Sequence, residues 1–242
     1  MFYHFFNFLL KIFFLFSAFF LYYLQLFCIL LCLKSLARFL LVKASVLCLK
    51  GLGISIIVSQ NHILNAYLNR KLIYIANHGN PLDVLLIQGF WKIKTLTTAH
   101  LHLSLILPFI KKSLINYGHI PFDYKDPKSR LNAFYEARRS IRSSDRFFIY
   151  PSGSLTTPIS IRFSSSVSTL AFDTESVVIP CKVSYSNNLS SISKYNYRPF
   201  KLLLYLLFSK GSHIYVNYFD PVDSRQFKSS NTLNDYLRKL YI

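Results

Sequence analysis

Acidic residues are scarce in this chain. Ten Asp and Glu face 28 Lys and Arg across 242 residues, a formal net charge of +18. Glycine and proline are also few, at seven and nine, which excludes collagen-like and Gly/Pro low-complexity sequences. The four cysteines, Cys28, Cys32, Cys48 and Cys181, make no pair with metal-site or redox spacing, and three of them fall in an apolar N-terminal region. They read as free thiols in apolar packing. No internal repeat is present. Long uncharged apolar runs number one, where a polytopic membrane protein needs several. A soluble nucleic-acid binder accounts for the positive charge but not for a composition that is 52% hydrophobic, with 23 Phe and 17 Tyr. What remains is a membrane-bound protein whose basic surface faces anionic headgroups or anionic substrates.

The one long run extends from Ile12 to Leu33, with Ser17 and Gln25 as its polar exceptions. As a helix it measures roughly 33 Å, about the thickness of a bilayer core, and it exceeds a cleaved signal segment. Lys34, Arg38, Lys43 and Lys50 follow it, whereas Lys11 alone precedes it among Lys and Arg. That bias predicts that the remainder of the chain lies in the cytoplasm. From Ser35 to Val58 basic residues interrupt an apolar segment, which suits the headgroup region; a hairpin dipping into one leaflet is the other arrangement. The expected division is therefore 1–58 as membrane anchor, its transmembrane helix at about 12–33, and 59–242 as the second domain.

Beyond residue 58 short apolar runs alternate with helical patterns. Strands are expected at Leu72–Ala76, Thr95–Ala99, Phe147–Tyr150, Val177–Val183 and His213–Phe219. Helices are expected from Asn80-Pro81 to Phe90, with Asn80 as N-cap, from Pro108 to Tyr117 with Gly118 ending it, along the stripe Leu131 to Ile141, and from Thr232 to Tyr241. Asn187–Asn196 reads as a polar loop. Lys201–Phe208 reads as core or a membrane-facing patch, being too short to span. The order predicts an α/β fold, a mixed or mainly parallel sheet with flanking helices, preceded by an N-terminal membrane helix or helical hairpin.

The segment Asn77-His78-Gly79-Asn80-Pro81-Leu82-Asp83 carries the strongest chemical signal. On one continuous helix, positions five apart do not share a face. Here His78 precedes the helix cap, so its ring can fold over the first turn toward Asp83. A carboxylate there fixes the ring tautomer and stabilises the imidazolium formed when the ring takes a proton. The plainer alternatives are a polar turn histidine and an acid that complements the helix N-terminus.

In context these residues resemble the lysophosphatidic acid acyltransferase family, the 1-acylglycerol-3-phosphate and wider glycerolipid acyltransferases. Asn77, His78 and Asp83 match its first block, a His followed four residues later by Asp. Gly118-His119-Ile120-Pro121-Phe122-Asp123-Tyr124 resembles the second, Tyr150-Pro151-Ser152-Gly153-Ser154-Leu155 the third, and Val178-Ile179-Pro180-Cys181 the fourth. The order of the blocks fits over roughly residues 70 to 225. Three positions depart: Ser152 stands for the family's Glu, Leu155 for its Arg, and Tyr124, with Lys125 beside it, for the Arg of the second block.

The resemblance implies an acyl-CoA-dependent O-acyltransferase of phospholipid biosynthesis or remodelling. His78 and Asp83 would be catalytic. Gly118, Tyr124, Lys125, Pro151, Ser152, Gly153 and Ser154 would bind substrate. Neither metal nor cofactor is expected, the acyl donor (acyl-CoA or acyl carrier protein) being a co-substrate. The partners would be membrane lipids and a lysophospholipid acceptor, not nucleic acid. Lys111, Lys112, Lys125, Lys128 and Arg130 are candidate cations for the donor's phosphates. The turn at 151–154 is a candidate source of backbone N–H groups for a developing oxyanion. A hydrolase using Ser152 is disfavoured, because the Gly-x-Ser-x-Gly pattern is missing there. The remaining alternative is a catalytically weak relative that binds lipid or assembles with partners.

Overall fold

The computed structural model describes residues 2–59, 67, 69–80, 82–97, 109–123, 125–143, 146–153, 159, 162–186, 189 and 212–241. Its frame is an eight-stranded sheet: β1 (Ile54–Ser59), β2 (Leu72–Ala76), β3 (Lys94–Thr97), β4 (Ile120–Pro121), β5 (Arg146–Ile149), β6 (Val177–Tyr185), β7 (Ser212–Tyr218) and β8 (Val222–Asp223). The strand order is β1-β7-β6-β2-β5-β3-β4, with β8 on β6. Five of the pairings are parallel, and only β6–β7 and β6–β8 are antiparallel. The mixed, mostly parallel sheet expected from the alternation of elements is the one found.

Strand β2 lies at the centre and is buried along its whole length. Its residues are apolar without alternation, as a strand covered on both faces requires. Leu72, Tyr74 and Ala76 point into one core layer, together with Phe148, Ile179 and Cys181. Ile73 and Ile75 point into the other, with Phe147, Ile149 and Val178.

Two sets of helices cover these layers. One face carries the N-terminal helices α1 (Phe2–Leu30) and α2 (Lys34–Gly51), and α3 (Asp83–Leu85), which continues as a π-helical turn through Trp91. The opposite face carries α5 (Pro127–Ser143), α6 (Ser166–Thr174) and α7 (Ser230–Lys239). The short α4 (Ile110–Tyr117) packs beside α1 and α2 through Leu114 and Tyr117. Gly118 closes α4 with φ 104°, a left-handed conformation that glycine adopts without strain.

The N-terminal region takes the helical hairpin, one of the two arrangements expected. α1 stops at Leu30, and Cys32 turns the chain with φ 59°. α2 then runs back along α1 as a helical hairpin. Gly51 sits where a Cβ would come within 2.9 Å of the Leu15 backbone nitrogen, so the two helices touch backbone to backbone there. The segment expected to lie among headgroups thus splits in two. Lys34–Gly51 is a helix, and Ile54–Ser59 is an edge strand in parallel register with β7. A boundary at 58/59 runs through β1.

α6 has no counterpart among the expected helices. Its Ser- and Thr-rich sequence is a weak helix former, but Val167, Leu170, Ala171 and Thr174 fall on one face and are all buried. Lys201–Phe208 and most of the loop expected at Asn187–Asn196 lie outside the described residues.

Candidate active site

Parallel strands β2, β5 and β6 end on the same edge of the sheet, where α/β folds present their sites. His78 follows β2 and Tyr150 follows β5, whereas Tyr185 is the last residue of β6. These three meet around Asp83.

The sequence expects His78 to fold back on Asp83, and its Nδ1 lies 2.6 Å from Asp83 Oδ2. The turn wraps around that carboxylate. The backbone N–H groups of Gly79 and Asn80 each donate to the same oxygen at 3.2 Å. Asn80, expected as the helix N-cap, closes the turn ahead of it instead: its Oδ1 accepts from the Leu82 N–H at 3.0 Å, its Nδ2 donates to the Leu189 carbonyl at 3.0 Å, and Leu82 is the residue that caps α3. The regular helix is shorter than expected, however. α3 spans Asp83–Leu85 and then widens into the π-helical turn. That widening brings Gly89 against the α2 backbone at Ser45 and Val46, and Gln88 Oε1 accepts a hydrogen bond from Ser45. Pro81 lies outside the described residues.

Asp83 is almost fully enclosed, its side chain 1% exposed against 18% for His78. A buried carboxylate needs donors on both oxygens. Oδ1 receives one from the Tyr185 hydroxyl. The His78 ring stacks on Tyr150 with centroids 4.1 Å apart and planes 17° apart. Tyr150 in turn directs its hydroxyl at the Asp83 carbonyl, 3.5 Å away. Burial first, and the nearby Asp83 charge second, push the phenols of Tyr150 and Tyr185 well above their usual range, so both stay protonated. With Nδ1 committed to the carboxylate, the opposite ring nitrogen of His78, Nε2, is the one left for a substrate.

The other expected residues scatter. Pro151 and Ser152 are buried in the turn after β5, Ser152 to 1% exposure, and Gly153 is exposed with φ 61°. The Gly153 N–H already donates to the Tyr150 carbonyl at 3.0 Å, and proline has none. Within the turn, the Gly153 amide is thus engaged in closing it. Ser154, Leu155 and Tyr124 lie outside the described residues. Lys125 is exposed before α5, its N–H bonded to Asp123 Oδ1 at 2.9 Å. Gly118 leads into β4, which is three places from β2 in the sheet. Lys111, Lys112, Lys128 and Arg130 are all exposed. Among the described residues no group of three His, Cys, Asp or Glu is placed to hold a metal ion.

Sequence reasoning missed Tyr185 and the stacking role of Tyr150. One signal was available for Tyr185. Val177, Ile179, Cys181 and Val183 alternate toward one core layer, and the same period carries Tyr185 to that face at the strand's end.

Residues 55–184, more than half of the chain, match the family described as Acyltransferase. Among solved structures, the crystal structure of the 1-acyl-sn-glycerophosphate (LPA) acyltransferase PlsC from Thermotoga maritima has the same fold. Its TM-score is 0.62 at 18% identity, and the alignment covers 97% of this chain and 94% of that one. Curated protein sequences show no significant match.

Proposed function

The chain belongs to the acyltransferase family, and we propose that it carries a fatty acyl group from acyl-CoA, or from acyl carrier protein, to the hydroxyl of a lysophospholipid. The first acceptor to consider is 1-acylglycerol 3-phosphate, on the motif resemblance and on the likeness to PlsC. The observation that carries the reading is the His78–Asp83 contact, 2.6 Å long, at the sheet edge with Nε2 turned away from it.

An alcohol is a poor nucleophile near neutral pH, and an imidazole is suited to take its proton there. His78 Nε2 takes the acceptor's hydroxyl proton as the oxygen forms its bond to the thioester carbonyl carbon. The tetrahedral adduct then collapses, the carbon–sulfur bond breaks, and the imidazolium returns the proton to the departing thiolate. Asp83 supports the positive ring through Nδ1, and Tyr150 limits its rotation by stacking.

The setting we propose is a membrane surface, with the catalytic domain on the cytoplasmic side. The helix segment Phe6–Leu30 is long and apolar enough to cross a membrane, with mean hydropathy 2.1. It exposes Phe13, Phe16, Phe20 and Phe27 along its length. The Lys and Arg that follow it support the orientation.

The test offers labelled acyl-CoA to the purified full chain in detergent, with lysophosphatidate, glycerol 3-phosphate, and neutral and zwitterionic lysolipids as acceptors. Lysophosphatidate is expected to be acylated fastest. Lipid binding with no acylation of any acceptor would reject the enzyme in favour of a lipid-binding relative. Because Leu155 offers no phosphate contact, a nearby cation such as Lys125 or Arg162 is expected to replace the missing Arg. Lys125→Ala should then raise the acceptor KM several-fold with kcat nearly unchanged, while Leu155→Arg adds little. A large gain from Leu155→Arg with Lys125→Ala silent points to a different acceptor.

A further inference from the structure

The proposed chemistry uses one oxygen of Asp83. Oδ2 faces His78 and two backbone amides, whereas Oδ1 is held by a tyrosine from a distant strand. We propose that Tyr185 is a positioning residue for this reaction: its phenol holds Asp83 Oδ1 and so sets how tightly the His78–Asp83 pair binds its proton. The inference rests on the catalytic reading above and extends it to a group that no sequence motif contains.

The fold delivers Tyr185 there by a specific device. The ladder between β2 and β6 has its last backbone pair at Ala76 and Cys181. Asn77 then supplies a further rung from its side chain. Its Nδ2 donates to the Val183 carbonyl at 2.8 Å, and its Oδ1 accepts from the Val183 N–H at 2.7 Å. On its other edge β6 stays paired with β7 as far as Tyr185, opposite Ile214, so the strand is held from both sides just before its end. Two residues beyond Val183, the same strand face presents Tyr185 to Asp83.

The titratable groups facing the pair, among the described residues, are Tyr150 from the end of β5, and Tyr185 and Cys181 from β6. Burial raises all three, so none is charged near neutral pH. Tyr185 is thus a neutral donor. A donor on Oδ1 spreads the carboxylate's charge and weakens its pull on the imidazolium proton. Its removal leaves that charge buried with a missing partner, and the pair holds its proton more tightly wherever the proton resides.

Tyr185→Phe keeps the ring and removes the hydroxyl. The primary readout is the NMR titration of His78 in the full-length, histidine-labelled protein, its signal assigned by loss in His78→Ala. The expected result is a midpoint raised by about 0.5–1 pH unit, with the acid limb of the kcat/KM profile moving up equally. The KM for the acceptor should change less than kcat. Tyr236→Phe, on the exposed side of α7, should leave the midpoint in place. Incorporation of 3-fluorotyrosine at 185, a stronger donor of nearly the same shape, should lower the midpoint, and this arm decides the matter if the Phe variant does not fold. Normal turnover with an unmoved midpoint in Tyr185→Phe overturns the role of Tyr185 and leaves the proposed function standing. Absence of acyl transfer by the unaltered chain, or full turnover in His78→Ala, overturns the function and this role with it.

Discussion

His78 and His119 have similar surroundings and opposite electrostatics. Each ring stacks on a tyrosine: His78 on Tyr150 at 4.1 Å and 17°, His119 on Tyr117 at 4.9 Å and 20°. Each has its Nδ1 hydrogen-bonded at a strand. For His78 that partner is a carboxylate oxygen, which makes Nδ1 a donor. For His119 it is the Thr95 N–H at 3.0 Å, which makes Nδ1 an acceptor. The far nitrogen differs too. His119 is 3% exposed, and its Nε2 is buried without a hydrogen-bond partner among the described residues. Burial pushes its pKa down to about 4. A histidine becomes a base by having an acid on one nitrogen and an accessible second nitrogen. Tight packing on a tyrosine is common to both and decides nothing.

The largest effect should come from removing the proposed base. His78→Ala is expected to lower acyl transfer by about two to four orders of magnitude, measured as turnover of labelled acyl-CoA. Its melting temperature should stay within a few degrees of the unaltered chain, because the ring is partly exposed and fills no deep core position. Near-normal turnover would remove the distinction drawn between the two histidines.

Asp83→Asn turns His78 into a copy of His119, a stacked imidazole with no acid. Turnover should fall by about two to three orders of magnitude, while binding of a lysolipid in a direct assay stays within a few-fold. An equal loss in both measurements would mean that the aspartate only holds the turn together. That outcome has a physical basis to be tested against, since Gly79 and Asn80 both donate their N–H to its oxygen.

The contrast also shows what sequence can carry. The His78–Asp83 pair is legible because both members lie in one turn, at a spacing that a strand-to-helix reversal closes. The central strand was legible because Leu72–Ala76 is apolar without a break. Tyr185 was not, because it reaches Asp83 across 102 positions from the end of β6, and no pattern local to the His78 turn announces that approach. β1 was hidden for another reason. Ile54–Ser59 follows an apolar helical segment directly, so hydrophobicity alone places it with the anchor, and only its pairing with β7 assigns it to the sheet. The π-helical widening after α3 meets the α2 backbone at Gly89, a tertiary contact that no local pattern announces.

His119 should matter least to turnover and show itself in stability instead. Its pKa is about 4 in the folded state against an ordinary 6.5. Between those values the unfolded chain binds the proton and the folded one does not, so stability falls as pH is lowered through that window and recovers above it. Well inside the window the slope approaches ~1.4 kcal/mol per pH unit. His119→Asn keeps an acceptor for the Thr95 N–H, because an amide oxygen can stand where Nδ1 stood, but it cannot titrate. The variant's melting temperature should therefore decline less between pH 7 and pH 5 than that of the unaltered chain, with turnover at pH 7.5 within about two-fold. The restriction to pH 5 and above keeps most carboxylates out of the comparison, their ordinary values lying near ~4. If the two curves fall in parallel, His119 takes up its proton as readily in the folded chain as in the unfolded one, and the lack of an acid partner does not separate the two histidines. A steeper fall in the variant would mean the opposite sign of linkage, with a proton on His119 stabilising the fold.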